Sequence, residues 1–282
     1  MACLRYALIA IRHHVLINVR LDVRLLYTSI SLIHTRYVMR DAPLNESFSL
    51  TPIGYIESDY PDKFGVPRQP GLATAAKATL VLAPPFNTPL CVRGLEAFSH
   101  LWISFIFHHS PLEWTPLVRP PRLGGNKKTG VFASRSTHRP NRLGLSLVEL
   151  LDVNTHDGVR LLLKGADLVT GTPVVDIKPY LPWAEALPDA RSGFAPTPPP
   201  MYPVEFSMAA DTALHQHPDA DELRQLIIQV IGQDPRPAYH SNGLAREYGM
   251  KLRDVNVRFQ NRQRLDNTAV MYIVTIELNS KA

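Results

Sequence analysis

Leu101-Trp102-Ile103-Ser104-Phe105-Ile106-Phe107 is almost continuously apolar and aromatic, with no charge, glycine or proline in the run. Its short length and aromatic, β-branched content fit a strand, and such continuity predicts a strand buried on both sides. Shorter apolar runs recur on either side: Ile53–Ile56, Leu80–Leu82, Val131–Ala133, Leu145–Leu151, Val159–Leu163 and Val174–Ile177. Turn signals separate them at Pro84-Pro85, Pro120-Pro121, Gly124-Gly125, Pro140-Asn141 and Asp157-Gly158. Leu145 to Leu150 is not strictly alternating, since Ser146 and Glu149 fall on opposite faces. Many short strands with little helical periodicity between them predict a closed or sandwiched β-domain over residues 48–190.

Downstream the texture changes. Residues 196–203 read Pro-Thr-Pro-Pro-Pro-Met-Tyr-Pro, a semi-rigid stretch that makes 191–203 a natural linker. One good helix follows. Asp219, Asp221 and Glu222 suit its positive end, Leu223, Leu226, Ile227, Val230 and Ile231 form an apolar stripe, and Gly232 stops it. Strands are expected at Val255–Phe259 and Val270–Leu278. The fold class is therefore mainly β, with a small α+β domain over 204–282.

Composition narrows the function classes. Two cysteines, Cys3 and Cys91, in 282 residues exclude a disulfide framework and a four-cysteine zinc site, so a reducing, cytoplasmic setting is expected. The formal charge of +5 is misleading as an overall figure. Arg5, Arg12, Arg20, Arg24 and Arg36 face a single acid, Asp22, before residue 40, so most of the excess sits there. Residues 1–47 read as an extension outside the functional fold, with Met39 an alternative start. Their longest uncharged run, Leu25 to Thr35, is too short to span a membrane.

Five constellations carry chemistry. Lys63 to Leu72 holds two prolines, two glycines, Arg68 and Gln69, and reads either as a rigid surface turn or as a loop gripping a small ligand. His108-His109 ends the apolar strand; adjacent strand residues point to opposite faces, which argues against one shared metal and for a strand-end pocket. Between Glu113 and Glu149 lie Arg119, Arg122, Lys127, Lys128, Arg135, Arg139 and Arg142 with no acid, a pattern that favours an anion partner over a solvated loop. Asp167-Leu168-Val169-Thr170-Gly171-Thr172-Pro173 is either a hairpin turn or a site for a ribose or amino-acid group, and Asp176 in the next run is a candidate buried carboxylate. Asp234-Pro235-Arg236-Pro237-Ala238-Tyr239 fixes three polar side chains on a rigid path after the helix. No G-x-G-x-x-G, Walker, H-E-x-x-H or G-x-S-x-G pattern is present, which disfavours an ordinary doubly wound nucleotide-binding domain.

Taken together, these strings resemble the TsaA-like (TrmO) tRNA (adenine-N6)-methyltransferases. The matching runs are Ile53–Ser58, Lys63–Leu72, Val92–Ile103, Val118–Gly125, Gly130–Gly144, Asp167–Tyr180 and Asp234–Tyr239. The resemblance implies a single-sheet β-barrel that binds S-adenosylmethionine, and a homodimer. It implies methylation of N6 of threonylcarbamoyl-adenosine beside the anticodon of threonine tRNAs. It places cofactor contacts on Pro67, Arg68, Gln69, Pro70, His108, His109, Arg135, Leu145, Asp167, Leu168, Val169 and Thr170, with the Asp234–Tyr239 motif near the tRNA. His109, His138 and Arg142 depart from the residues familiar there. Methyl transfer to nitrogen needs alignment rather than a metal or a covalent intermediate. Asp234, Arg236 and Tyr239 are the expected catalytic residues, with Asp234 and Tyr239 orienting the base or taking its N6 proton. Arg119, Arg122, Lys127, Lys128, Arg139 and Arg142 are expected to meet RNA phosphates, with no metal and no membrane partner. The rival readings are a non-catalytic RNA-binding protein, a histidine-based metal hydrolase, and a methyltransferase with a small-molecule acceptor.

Overall fold

Six of the predicted runs become strands of one closed antiparallel barrel. In a computed structural model, which describes residues 47–236 and 246–278, these are β1 (Gly54–Ser58), β2 (Lys77–Leu82), β3 (His100–Ile106), β6 (Leu143–Asn154), β7 (Arg160–Lys164) and β8 (Pro173–Pro179). Their order around the barrel is β1-β2-β7-β6-β3-β8. The residues before 47, together with Pro237, Ala238, Tyr239 and the last four, lie outside the described residues.

Burial alternates along the strands, because a closed single sheet has one packed interior. Ala78, Leu80, Leu82, Leu101, Ile103, Phe105, Leu161 and Leu163 fill it. The expectation that β3 is buried on both sides is corrected here: Trp102, Ser104 and Ile106 on its outer face are only half-buried. Trp102 keeps partial cover by donating its indole N–H to Glu185 and meeting the Tyr180 ring edge-on at 6.1 Å. Gly144 of β6 sits opposite Phe105, and any side chain there would overlap the Phe105 ring.

Two more short runs differ from expectation. Val131–Ala133 is a single 3-10 turn in which only Val131 is buried. A two-residue hairpin, β4 (Leu117–Val118) with β5 (Thr129–Gly130), precedes it. Asp176 is exposed rather than buried, because it lies on the outer face of β8 opposite Ser104, next to a register shift.

The C-terminal layer is a sheet ordered β10-β11-β12-β9, from β9 (Val204–Phe206), β10 (Glu247–Leu252), β11 (Val255–Gln263) and β12 (Ala269–Leu278). Helices α1 (Met208–His215) and α2 (Ala220–Ile231) accompany it. The apolar stripe of α2 is buried as its spacing predicts. Gly232 ends α2, but in ordinary helical conformation (φ −60) rather than left-handed. Its role is close approach: a Cβ there would stand 2.6 Å from the Ile228 carbonyl oxygen and 3.1 Å from that of Tyr202. No apolar periodicity marks α1, where only Ala210 and Leu214 are buried, or β10, which carries Glu247, Gly249 and Lys251.

The connection between β1 and β2 joins both layers. Tyr60, Ala73 and Ala76 are buried within the C-terminal core, and Phe64 stacks on Phe259 at 6.4 Å. Asp59 fixes its start: the carboxylate accepts from the Lys77 amide at 2.8 Å and from Arg253 Nε at 3.0 Å. Both side chains of that ion pair are largely buried, at 14% and 12% exposure, so breaking it leaves an uncompensated charge.

Candidate functional site

Ser146 is the polar residue that breaks the apolar pattern of β6, and it faces inward at 1% exposure. Its hydroxyl donates to the carboxylate of Asp167, which sits just beyond β7. Burial raises the Asp167 pKa from 3.8 to about 6, against the lowering effects of the Ser146 bond, its own backbone amide and the Arg135 charge.

The turn after Asp167 is stapled to β1. The Ser58 hydroxyl donates to the Leu168 carbonyl at 2.7 Å, and the Thr170 hydroxyl donates to the Ser58 carbonyl at 3.0 Å. The Thr170 amide bonds the Tyr60 carbonyl at 2.9 Å and the Gly171 amide bonds that of Ile56 at 2.7 Å. Tyr60 is itself buried; desolvation, then the Asp59 and Asp167 carboxylates, push its hydroxyl well above the usual range.

Three predicted segments converge on this turn. The 63–72 loop ends beside it, where the Gly71 amide donates to the Gly165 carbonyl at 2.8 Å. Lys63 Nζ donates to the His109 carbonyl. His108 Nε2 lies 3.9 Å from where a Gly171 side chain would begin. The two histidines do not point to opposite faces as expected, because β3 ends at Ile106 and they occupy a turn with ring centroids 3.9 Å apart. Burial, then the His109 and Lys63 charges, hold His108 below the usual pKa despite a backbone bond to Ile106, which favours its neutral form.

Other predicted residues are placed less closely. Pro67 is buried and Arg68 exposed, while the Gln69 amide turns back onto the Arg68 carbonyl. Arg135 is exposed yet close enough to act on Asp167. Leu145 is half-exposed opposite Ser104, on the face of β6 away from Ser146.

The basic stretch divides into two kinds of residue. Arg119, Arg122, Lys127 and Lys128 are exposed, and no carboxylate among the described residues pairs with them. Arg139 differs from the expectation that it meets solvent or phosphate. It is half-buried, its Nη1 donates to the Ser134 carbonyl at 2.9 Å, and it covers the Phe132 ring. Arg142 is half-buried in a left-handed turn (φ 51), where its carbonyl accepts from the Phe107 amide.

In the motif after α2, Arg236 grips Asp234 at two points, Nε to Oδ1 at 2.7 Å and Nη2 to Oδ2 at 2.8 Å. The Arg236 side chain is 4% exposed, and Asp234 adopts φ 51 to close the turn. Both carboxylate oxygens of Asp234 thus accept from Arg236. Tyr239 lies outside the described residues. Ser146, Ser58 and Tyr60 are not among the expected site residues; the sequence signal for Ser146 is a hydroxyl out of phase in an apolar strand.

This arrangement suits a cationic, hydrogen-bonding ligand. A buried carboxylate bonded by one neutral side-chain hydroxyl gains when a positive group arrives beside it. Among the described residues no group of three or more His, Cys, Asp or Glu is placed to hold a metal. No helix among them is long and apolar enough to cross a membrane.

Comparison with known proteins gives consistent matches. A family model described as the tRNA-methyltransferase O N-terminal domain matches residues 55–186, and the TrmO C-terminal domain matches residues 199–277. A tRNA (adenine(37)-N6)-methyltransferase of Escherichia coli is 51% identical over 223 residues, 76% of this chain and 93% of that protein. A putative S-adenosylmethionine-dependent methyltransferase, RcsF, of Pseudomonas aeruginosa is 50% identical over 217 residues, 75% of this chain and 91% of that protein. The crystal structure of TrmO from Pseudomonas aeruginosa matches with a TM-score of 0.67 at 40% identity, covering 82% of this chain and 98% of that one.

Proposed function

The chain belongs to the tRNA-methyltransferase O family, and on that premise we propose that it methylates N6 of adenine 37 in tRNA, using S-adenosylmethionine. The observation that carries this reading is the buried Asp167 carboxylate at the meeting point of the 63–72 loop, His108 and the 167–172 turn. When bound, the cofactor supplies an electrophilic methyl group on a sulfonium sulfur, which a nitrogen takes in line as its proton leaves.

The chain's residues then divide the work. Pro67, Arg68, Gln69, Pro70, His108, His109, Arg135, Leu145 and Asp167 to Thr170 hold the cofactor, with Asp167 offsetting its positive charge. Arg119, Arg122, Lys127 and Lys128 meet RNA phosphates, since they are exposed and without carboxylate partners among the described residues. Arg139 and Arg142 shape the loop that presents them. Asp234 fixes Arg236 through two hydrogen bonds and keeps acceptor sites on the same oxygens with which to orient the base. Tyr239 also orients the base or accepts the N6 proton.

The finer reading is that the adenine already carries a threonylcarbamoyl group, in threonine tRNAs, and that the enzyme works as a cytoplasmic homodimer. The motif resemblance supports it. Exposed Leu117, Phe132 and Leu143 around the basic segment supply apolar surface suited to a second subunit. The test is methyl transfer from labelled S-adenosylmethionine to threonine tRNA with and without the threonylcarbamoyl group. Label in the modified tRNA alone supports both readings. Label in both rejects the substrate requirement, and label in neither rejects the tRNA reading.

A further inference from the structure

We propose that the polar edge of α2 and the turn that leaves it are a positioning device for the cofactor loop, in which Gln233 of the turn above all, with Gln229 of the helix, sets the backbone leaving that loop. The inference rests on the reading that residues 67–70 contact S-adenosylmethionine. Glu222 and Gln229 are seven residues apart on one face of α2, beside the buried stripe, and Gln233 follows just past the Gly232 cap. That face runs along the exit of the loop. Glu222 pairs with Lys77 at 2.7 Å. Gln229 Oε1 accepts from the Ala75 amide at 2.7 Å, and its Nε2 donates to the Thr74 hydroxyl at 3.2 Å.

Gln233 reaches furthest toward the loop. Its Nε2 donates both to the Leu72 carbonyl at 3.1 Å and to the Gln229 carbonyl at 2.7 Å, so the amide is held by the helix while it holds the loop. On the other side the Gly71 amide donates to the Gly165 carbonyl, two residues before Asp167. Residues 71–75 are therefore fixed between the barrel and the helix. Neither glutamine needs to touch cofactor or substrate to do this.

Isosteric substitutions separate the bonds. Gln233→Glu keeps the shape but removes the donor to Leu72. Gln229→Glu keeps an acceptor for the Ala75 amide. Calorimetric titration of the full chain with S-adenosylmethionine is expected to show affinity about tenfold weaker for Gln233→Glu and Gln233→Ala, and within about twofold of the parent for Gln229→Glu. Binding of tRNA without cofactor should stay within about twofold in all of them. A merely structural role would lower the melting temperature and leave the affinity of the folded protein unchanged. Unchanged cofactor affinity in both Gln233 variants, each melting in one cooperative transition, overturns the proposal and leaves the proposed function intact. A parent protein that binds no S-adenosylmethionine overturns both. Amide exchange gives a readout independent of the cofactor: Ala75 should exchange faster in Gln229→Ala, and unchanged protection there also overturns the clamp.

Discussion

Replacing Asp167 with asparagine should make the cofactor-free protein more stable while weakening its function. Burial raises the Asp167 pKa from 3.8 to about 6. The folded value exceeds the unfolded one, so the favourable protonated contribution is complete below the unfolded pKa and is lost as pH rises through the folded pKa. The difference between 3.8 and about 6 corresponds to about 3 kcal/mol of folding stability forgone at neutral pH. Asp167→Asn keeps an oxygen for the Ser146 hydroxyl and removes the buried charge. Urea denaturation of cofactor-free protein should therefore show the variant gaining about 3 kcal/mol over its parent near pH 7.5 and less than about 1 kcal/mol near pH 4. Calorimetry on the same samples should show S-adenosylmethionine binding weakened, because the counter-charge is gone. The opposite pH trend, or an equal shift of the midpoint at both pH values, would refute the account of a desolvated carboxylate. Full cofactor affinity in a stabilised variant would refute its role as a counter-charge.

The basic segment and the barrel wall give two further expectations. Removing Lys127 and Lys128 together should lower the slope of log tRNA affinity against log salt by roughly 1.4–1.8, whereas Arg139→Ala should leave the slope unchanged and loosen the 131–139 loop; equal slopes for all three proteins would show that these lysines do not meet phosphate. Gly144→Ala should force the Phe105 ring aside and cost about 1–3 kcal/mol in denaturant unfolding, and an unchanged midpoint would contradict the packing described for β3 and β6.

Sequence alone determined what depends on local pattern. Alternating and continuous apolar runs marked the barrel strands, and the spacing of Leu223, Leu226, Ile227, Val230 and Ile231 marked α2 and its buried face, because burial selects residues at the period of each element. The motifs carrying the family resemblance were equally legible, since their prolines, glycines and charges stand in fixed local order. Elements whose burial comes from elsewhere were not legible: α1 buries only Ala210 and Leu214, and β9 is three residues added in parallel to β12. The site was half legible. Asp167 and the 63–72 loop are marked by motif, but nothing in the sequence tells that Ser146 meets Asp167, or that residues 71–75 are held between Gly165 on one side and Gln229 of α2 with Gln233 just beyond it on the other. Arg139 and Arg122 look alike as letters, yet one wraps its own loop and the other stands in solvent. Only barrel closure and the docking of the C-terminal layer decided those pairings, because they join residues far apart in the chain whose partners exist only once the fold has formed.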